Sequence, residues 1–330
     1  MKLDFIISDT HFGIKNNSIK FLESQLAGLR NVLNHVRAAK MLSHYSEINL
    51  IHCGDLMDSR SSINPYILNR VQGILSEFSS ECSHVYILGG NHDYYSPVEK
   101  AYNITSLDLL SLPANVQIVA QDSLRVGDVE FVPYFKFHNR ESLQEIIDSN
   151  PNIIYTHTDL GHLYPDIVNI VNSYPGTIYS GHIHTPNFTN PKRLILGSCF
   201  ALTYADANQD RYYYTIEDDD PKTLIRYGMA DIRRFWRIYE STLENDFVIN
   251  EDDFVEVYVT MDAFKTNRDR IAEYKTMYNA NVIIIPTNQV TDTVNIQSFD
   301  DLDQVIEQYI PDHLRKKFNT IREYQELETE

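Results

Sequence analysis

Five short polar motifs recur in one fixed order, each at or just after a short apolar run: Asp9-Thr10-His11, Gly54-Asp55-Leu56-Met57-Asp58, Gly90-Asn91-His92-Asp93, His157 and Gly181-His182-Ile183-His184. The runs, residues 3–8, 49–53, 85–88, 153–156 and 177–180, have the length and composition of buried strands. Between the first two lies a helical stretch over residues 18–46, with Leu22, Leu26, Leu29, Leu33 and Val36 forming one apolar stripe. A second helix follows Asn64-Pro65, striped by Ile67, Val71, Ile74, Leu75 and Phe78. Strand and helix in alternation predict a layered α/β fold. In such folds ligands collect beyond the carboxyl ends of the strands, and the motifs occupy those ends.

Strand signals without intervening helices, at 115–132 and 193–216, point to a second sheet, and residues 217–221 form an exposed acidic turn. The texture changes after about residue 230: strands at 235–239 and 254–260, a helix at 262–279 and a strand at 281–286 make a β-α-β unit with its own small core. From residue 298 the sequence is helical and highly charged, interrupted at Pro311. Three parts are therefore expected, over 1–230, 231–297 and 298–330.

With 43% apolar residues in 330, a sizeable core is expected, and no apolar run approaches the length of a membrane span. The sequence reaches a motif residue by Asp9, so a cleavable signal peptide is not expected. Three cysteines without a CxxC pair suit a reduced, cytoplasmic setting. The net charge of −18 is concentrated late: residues 1–230 carry 17 Lys+Arg against 25 Asp+Glu, and residues 231–330 carry 11 against 21. Such a balance argues against tight, unaided binding to nucleic acid.

Asp, Asn and His hold divalent metals through oxygen and imidazole nitrogen. Seven candidate ligands (Asp9, His11, Asp55, Asn91, His157, His182, His184) are enough for two ions that share a carboxylate, the arrangement that cleaves phosphoesters. Singly the motifs are weak, since an Asp after a strand usually forms a turn and lone histidines are often exposed. Their joint order carries the inference. Gly89-Gly90 and Gly181 are expected to free the backbone at the strand exits. His157 ends its apolar run directly and is preferred to His162, which follows Gly161 in a loop. The remaining histidines (35, 44, 52, 84, 138, 313) are assigned to structure or surface, and the 22 tyrosines to core and sheet faces, with base stacking as the alternative.

Together these motifs resemble those of the calcineurin-like metallophosphoesterase superfamily, over most of residues 1–200. The segment Leu196-Gly197-Ser198-Cys199-Phe200-Ala201-Leu202-Thr203 is further similar to the Gly-Ser/Thr-Pro-x-x-Leu-Ser/Thr segment of SbcD-type DNA-repair nucleases, with Cys199 where Pro is usual. The short length and the Phe235-Trp236-Arg237 strand look most like the phage-encoded members. The resemblance implies the metallophosphoesterase fold, a layered β-sandwich flanked by helices, with a small α+β capping domain and C-terminal helices. It implies one ion on Asp9, His11, Asp55 and His184 and another on Asp55, Asn91, His157 and His182, with Asp55 bridging. Mixed imidazole and carboxylate shells suit Mn²⁺, Fe²⁺ or Zn²⁺ better than Mg²⁺, and the resemblance implies two divalent ions, Mn²⁺ first among them.

It also implies that His92 is the general acid, oriented by Asp58, with a helix N-terminal cap as the alternative role for Asp58. The activity implied is that of the Mn-dependent DNA exonuclease/endonuclease subunit of an SbcCD-like recombination and repair complex. No Gly-x-x-x-x-Gly-Lys-Ser/Thr occurs, so the ATPase would be a separate SbcC-type coiled-coil subunit, docked on the helices of 298–330. A homodimer through helices of the nuclease part is implied as well. The rivals are another metallophosphoesterase (a protein phosphatase or a nucleotide phosphodiesterase) and a non-catalytic scaffold. Ser59-Arg60 after Asp58, and Asp93 rather than Glu, speak against the phosphatase, and the full ligand set speaks against the scaffold.

Overall fold

Side chains alternate in direction along a strand, so consecutive apolar residues must be covered on both faces. β1 (Lys2–Ile7) shows the consequence: Phe5 and Ile7 face one apolar cluster and Ile6 another. The computed structural model describes residues 1–95 and 104–285 and arranges them as a four-layer α-β-β-α stack with a smaller sheet appended.

The first sheet has six strands, in the order β12 (Ile225–Gly228), β11 (Tyr212–Glu217), β1, β2 (Glu47–His52), β3 (His84–Leu88) and β4 (Val116–Val119). The second also has six: β5 (Leu124–Val126), β6 (Val129–Val132), β7 (Ile153–His157), β8 (Thr177–Gly181), β10 (Arg193–Ile195) and β9 (Asn187–Asn190). Strands β1 to β4 run parallel, as do β6, β7, β8 and β10. The two sheets face each other across a core in which Tyr86, Phe131, Tyr155 and Tyr179 stack in series, with centroids 4.6, 5.5 and 5.5 Å apart. Helices Ile19–Met41 and Pro65–Glu81 cover the outer face of the first sheet, and helices Arg140–Asp148 and Pro165–Ser173 that of the second.

Helix starts follow local chemistry. Ser18 accepts from the Phe21 N–H at 3.3 Å, and Asn64 accepts from Tyr66 at 2.9 Å with Pro65 in the first turn. The first helix stops at Met41 rather than 46, because Ser43 turns left-handed with φ 51°.

The second sheet is not composed as the sequence suggested. Within 115–132, β4 joins the first sheet and β5 and β6 the second; within 193–216, β10 joins the second and β11 the first. The division depends on long-range pairing, such as β11 antiparallel to β1, which local patterns do not encode.

A third sheet holds β13 (Phe235–Tyr239), β14 (Phe254–Thr260) and β15 (Asn281–Ile285), all parallel. Val255, Val257 and Val259 point from β14 into a cluster with Ile271 and Tyr274. The expected single helix there is two, Met261–Thr266 and Arg268–Tyr278, parted at Asn267 with φ −105° and ψ 31°. Phe235 belongs to the core of the first sheet and stacks on Phe254 at 4.6 Å, which ties the third sheet to the main body. The acidic turn is as expected, with Asp218 and Asp219 at positive φ. The expected helices of 298–330 lie outside the described residues.

Candidate metal centre

The carboxyl ends of β1, β2, β3, β7 and β8 converge on one edge of the stack, and backbone bonds lace their loops together. Asp9 N–H donates to Gly54 O at 3.1 Å, and His11 N–H to Asp55 O at 3.0 Å. Asp9, His11, Asp55 and His182 all have left-handed backbones, with φ of 53°, 47°, 55° and 80°. For residues other than glycine this costs on the order of 1–3 kcal/mol each and persists only where the surroundings enforce it.

Gly54 takes a left-handed backbone with φ 92°, whereas Gly90 and Gly181 serve closeness rather than conformational freedom. Neither Gly90 nor Gly181 has a positive φ. A Cβ on Gly90 would collide with the Asp55 backbone and carboxylate; one on Gly181 would reach Ser8 Oγ and lie 2.6 Å from Cys53 O and 2.8 Å from Asp9 Oδ2.

All seven candidate ligands are brought together. Asp9, His11 and His184 can offer atoms within 4.8 Å of one another, as can Asp55, His157 and His182. Asp55 stands between the groups, its Oδ2 3.4 Å from His11 Nε2 and 3.2 Å from His157 Nε2. Asn91 Oδ1 lies 3.1 Å from His157 Nε2 and 2.7 Å from His182 Nδ1. His157 Nδ1 faces Cys53 O at 2.8 Å, so that nitrogen carries the proton and Nε2 is turned to the centre. His162 stays outside, its side chain 88% exposed and bonded to Asp159.

The donors fit divalent cations. Both ring nitrogens of His11 are buried and face carboxylates, Nε2 toward Asp55 at 3.4 Å and Nδ1 toward Asp58 at 3.3 Å. Two carboxylates, Asp9 and Asp55, are buried within the same few ångströms, where only positive charge makes them tolerable. Burial raises the Asp55 carboxyl, but His157, His11 and His92 outweigh it and hold it well below the usual carboxylate range. Burial disfavours the charged form of His157, yet the Asp55 and Asp9 carboxylates prevail and lift it to about 9. Burial, aided by His157, lowers His182. A cation among these groups replaces the protons that otherwise balance the carboxylates.

His92 is placed differently from the expectation. Its ring stands edge-on to His11 at 4.8 Å, its N–H donates to Asp55 Oδ1 at 2.8 Å, and its Nδ1 faces the backbone carbonyl of Asp58 at 2.9 Å. The Asp58 carboxylate instead lies 3.3 Å from His11 Nδ1. Asp58 thus meets His92 through its main chain and His11 through its side chain, and the cap of the following helix is Asn64.

Three supporting residues had no role assigned from the sequence: Asp93, although it closes a motif, and Asp206 and Arg211, which belong to none. The buried Asp93 carboxylate accepts from Leu56, Met57 and Gly90 N–H groups at 3.3, 3.0 and 2.9 Å, clamping two motifs together. Burial, with Asp55 nearby, pushes its carboxyl up to about 7. Asp206 and Arg211 form a buried pair at 3.1 Å behind His184. Arg211 donates to the His184 carbonyl at 2.5 Å, and Asp206 Oδ2 lies 3.9 Å from His184 Nδ1. The Leu196–Thr203 stretch underlies the centre: Ser198 Oγ bonds Asp9 O at 3.2 Å and Cys199 N–H bonds Ser8 O at 3.1 Å. A proline at 199 could not donate that bond.

Oxygen and imidazole donors gathered at strand ends define a candidate centre for divalent metals in a mixed α/β protein. The model of the calcineurin-like phosphoesterase family matches residues 5–186, and the chain belongs to that family. It is accordingly a metal-dependent phosphoester hydrolase with the metallophosphoesterase fold. No curated protein matches the chain. Among solved structures it is similar to the nuclease MPE of Pseudomonas putida, at 14% identity over 68% of this chain and 87% of that one, with a TM-score of 0.31. A likeness at that level does not bear on activity. Among the described residues no helix is long and apolar enough to cross a membrane.

Proposed function

We propose that the chain is the Mn²⁺-dependent nuclease subunit of an SbcCD-like complex that processes DNA ends in the cytoplasm. The observation that carries this reading is the convergence of seven oxygen and nitrogen donors, the buried Asp9 and Asp55 carboxylates among them, with Asp55 facing both groups. Asp9, His11 and His184 would hold one cation, Asn91, His157 and His182 the other, and Asp55 both. When bound, the cations activate water and stabilise the charge that develops on phosphate.

The chain's own groups supply the rest. His92 stands beside His11 and Asp55, close enough to offer an atom with them, and is assigned to proton delivery: its Nδ1 is engaged by the Asp58 carbonyl, which leaves Nε2 to give a proton to the leaving oxygen. Asp58 keeps His11 in place from the far side. The SbcD-like stretch supports the nuclease assignment because it is spent beneath Asp9 and His184, where a ligand loop needs a rigid floor. The third sheet, with residues 231–297, is assigned to capping DNA over the centre. With a net charge of −18, the protein needs a basic DNA surface from elsewhere, and an SbcC-type ATPase partner would provide one.

The test is Mn²⁺-dependent hydrolysis of a linear DNA duplex, measured beside a phosphopeptide and a cyclic nucleotide. Cleavage of the duplex alone is expected. Preference for the peptide or the cyclic nucleotide would replace the nuclease with one of its relatives, and inertness on all three would indicate a scaffold.

A further inference from the structure

We infer that the cavity on the Asn91–His182 side of the centre seats one nucleobase of the strand being cut, stacked against Tyr134 and Tyr164; the inference rests on the nuclease reading. The cavity, about 490 Å³, shares Asn91 and His182 with the centre, so a group within it is next to the reacting phosphate. Its size falls in the range of small-molecule sites.

Aromatic rings make up much of its lining. The Tyr134 ring lies 6.0 Å from His182, 6.4 Å from His157 and 4.7 Å from His138, and His138 is 6.5 Å from Tyr164. Burial, with His182 and His157 close by, pushes His138 down to about 4, which leaves it uncharged at neutral pH. Tyr164 is 69% exposed, at the start of the Pro165–Ser173 helix. Packing does not require an aromatic ring there. Among the described residues the Tyr134 hydroxyl has no hydrogen-bond partner, so the ring is not fixed by its polar end.

Charge favours a base over a second phosphate inside the cavity. The lining includes the carboxylate of Asp159, which repels an anion. The cation in the lining, Arg60, gives its Nε to Asn91 O at 3.1 Å and makes no ion pair among the described residues. Its remaining donors suit a backbone phosphate beside the seated base. Aromatic faces stack on any base, so the seat would detect the presence of a base and not its identity.

The test uses the Mn²⁺-loaded full chain and single-stranded oligonucleotides, intact or carrying one abasic residue, with bis(p-nitrophenyl) phosphate as a substrate outside nucleic acid. Wild-type protein should cut bonds flanking the abasic residue about 5- to 100-fold less efficiently than the same bonds in the intact strand, the worth of one base–aromatic stack. Tyr164→Ala alters an exposed side chain and should lose that discrimination while keeping its bound metal. Tyr134→Ala should do the same, and Tyr134→Phe should restore it. Equal cutting of both strands by wild type, or undiminished discrimination in both alanine variants, would overturn the seat and leave the nuclease reading standing. Hydrolysis of the nitrophenyl ester with every oligonucleotide untouched would overturn both.

Discussion

Asp55 is the residue on which both halves of the centre depend, with Oδ2 toward His11 and His157 and Oδ1 fixed by the His92 N–H. Asp55→Asn keeps the shape and removes the shared charge, so both metal content and cleavage should collapse; a variant that retained two ions and normal rates would refute the assignment. His92→Gln addresses chemistry apart from binding. Two ions should remain while cleavage slows by about 10²–10⁴-fold, the usual contribution of a positioned general acid. Loss of an ion in that variant would make His92 a ligand, a role its place beside His11 and Asp55 permits. Proton competition gives a third expectation. In the metal-free protein His157 is lifted to about 9, so near neutral pH a bound cation must displace its proton. Affinity should therefore rise with pH up to about 9, by at most roughly tenfold per unit for one proton. The same shift stabilises the metal-free fold below the ordinary imidazole range, and that contribution fades as pH rises through about 9. Metal titrations at about pH 6 and about pH 8 decide the point, and equal affinities would contradict it.

Among the elements, the loop between β10 and β11 contributes beyond its Leu196–Thr203 motif. Asp206 accepts from the Leu202 and Thr203 N–H groups at 2.8 and 3.0 Å while pairing with Arg211, which holds the His184 carbonyl. Asp206→Ala strands a buried guanidinium and should cost about 3–5 kcal/mol of stability, measured by denaturant unfolding. Asp206→Asn should fold better yet bind the Asp9–His11–His184 ion more weakly. Burial raises the Asp206 carboxyl, but His184, Arg211 and the loop N–H groups outweigh it and hold it at about 2. Its contribution is thus present above the ordinary carboxylate range and lost as pH falls toward 2. None of this was legible in the sequence, because a pair five residues apart in a loop means little until the loop is seen to return beneath a strand end. The seven donors were legible because each belongs to a motif fused to its own strand. β1, β2, β3, β7 and β8 were legible as continuous apolar runs covered on both faces. Sheet membership of β4 and β11, and the exchange of Asp58 between His92 and His11, were hidden because they follow from pairing and from main-chain direction.

At the scale of the whole molecule, chemistry and negative charge are separated along the chain. Every candidate ligand lies before residue 185, whereas residues 231–330 carry 21 Asp+Glu against 11 Lys+Arg. Residues 298–330 space Leu302, Val305, Ile306 and Tyr309, then Leu314, Phe318 and Ile321, among many charges. Their structure lies outside the described residues, and so few apolar groups cannot make a core of their own. That spacing is the pattern of short amphipathic helices, which are marginal alone and gain stability by burying one face against a partner groove. If the groove belongs to an SbcC-type ATPase, ending the chain after Gln297 separates two properties. Every candidate ligand lies far upstream of that cut, so the truncated protein should keep its metal content and its metal-dependent hydrolysis of simple substrates. It should lose co-purification with the ATPase and any ATP-linked stimulation of DNA cleavage. Complex formation at full strength without the tail would move the interface to another surface, and loss of bound metal on truncation would show that the tail completes the centre instead.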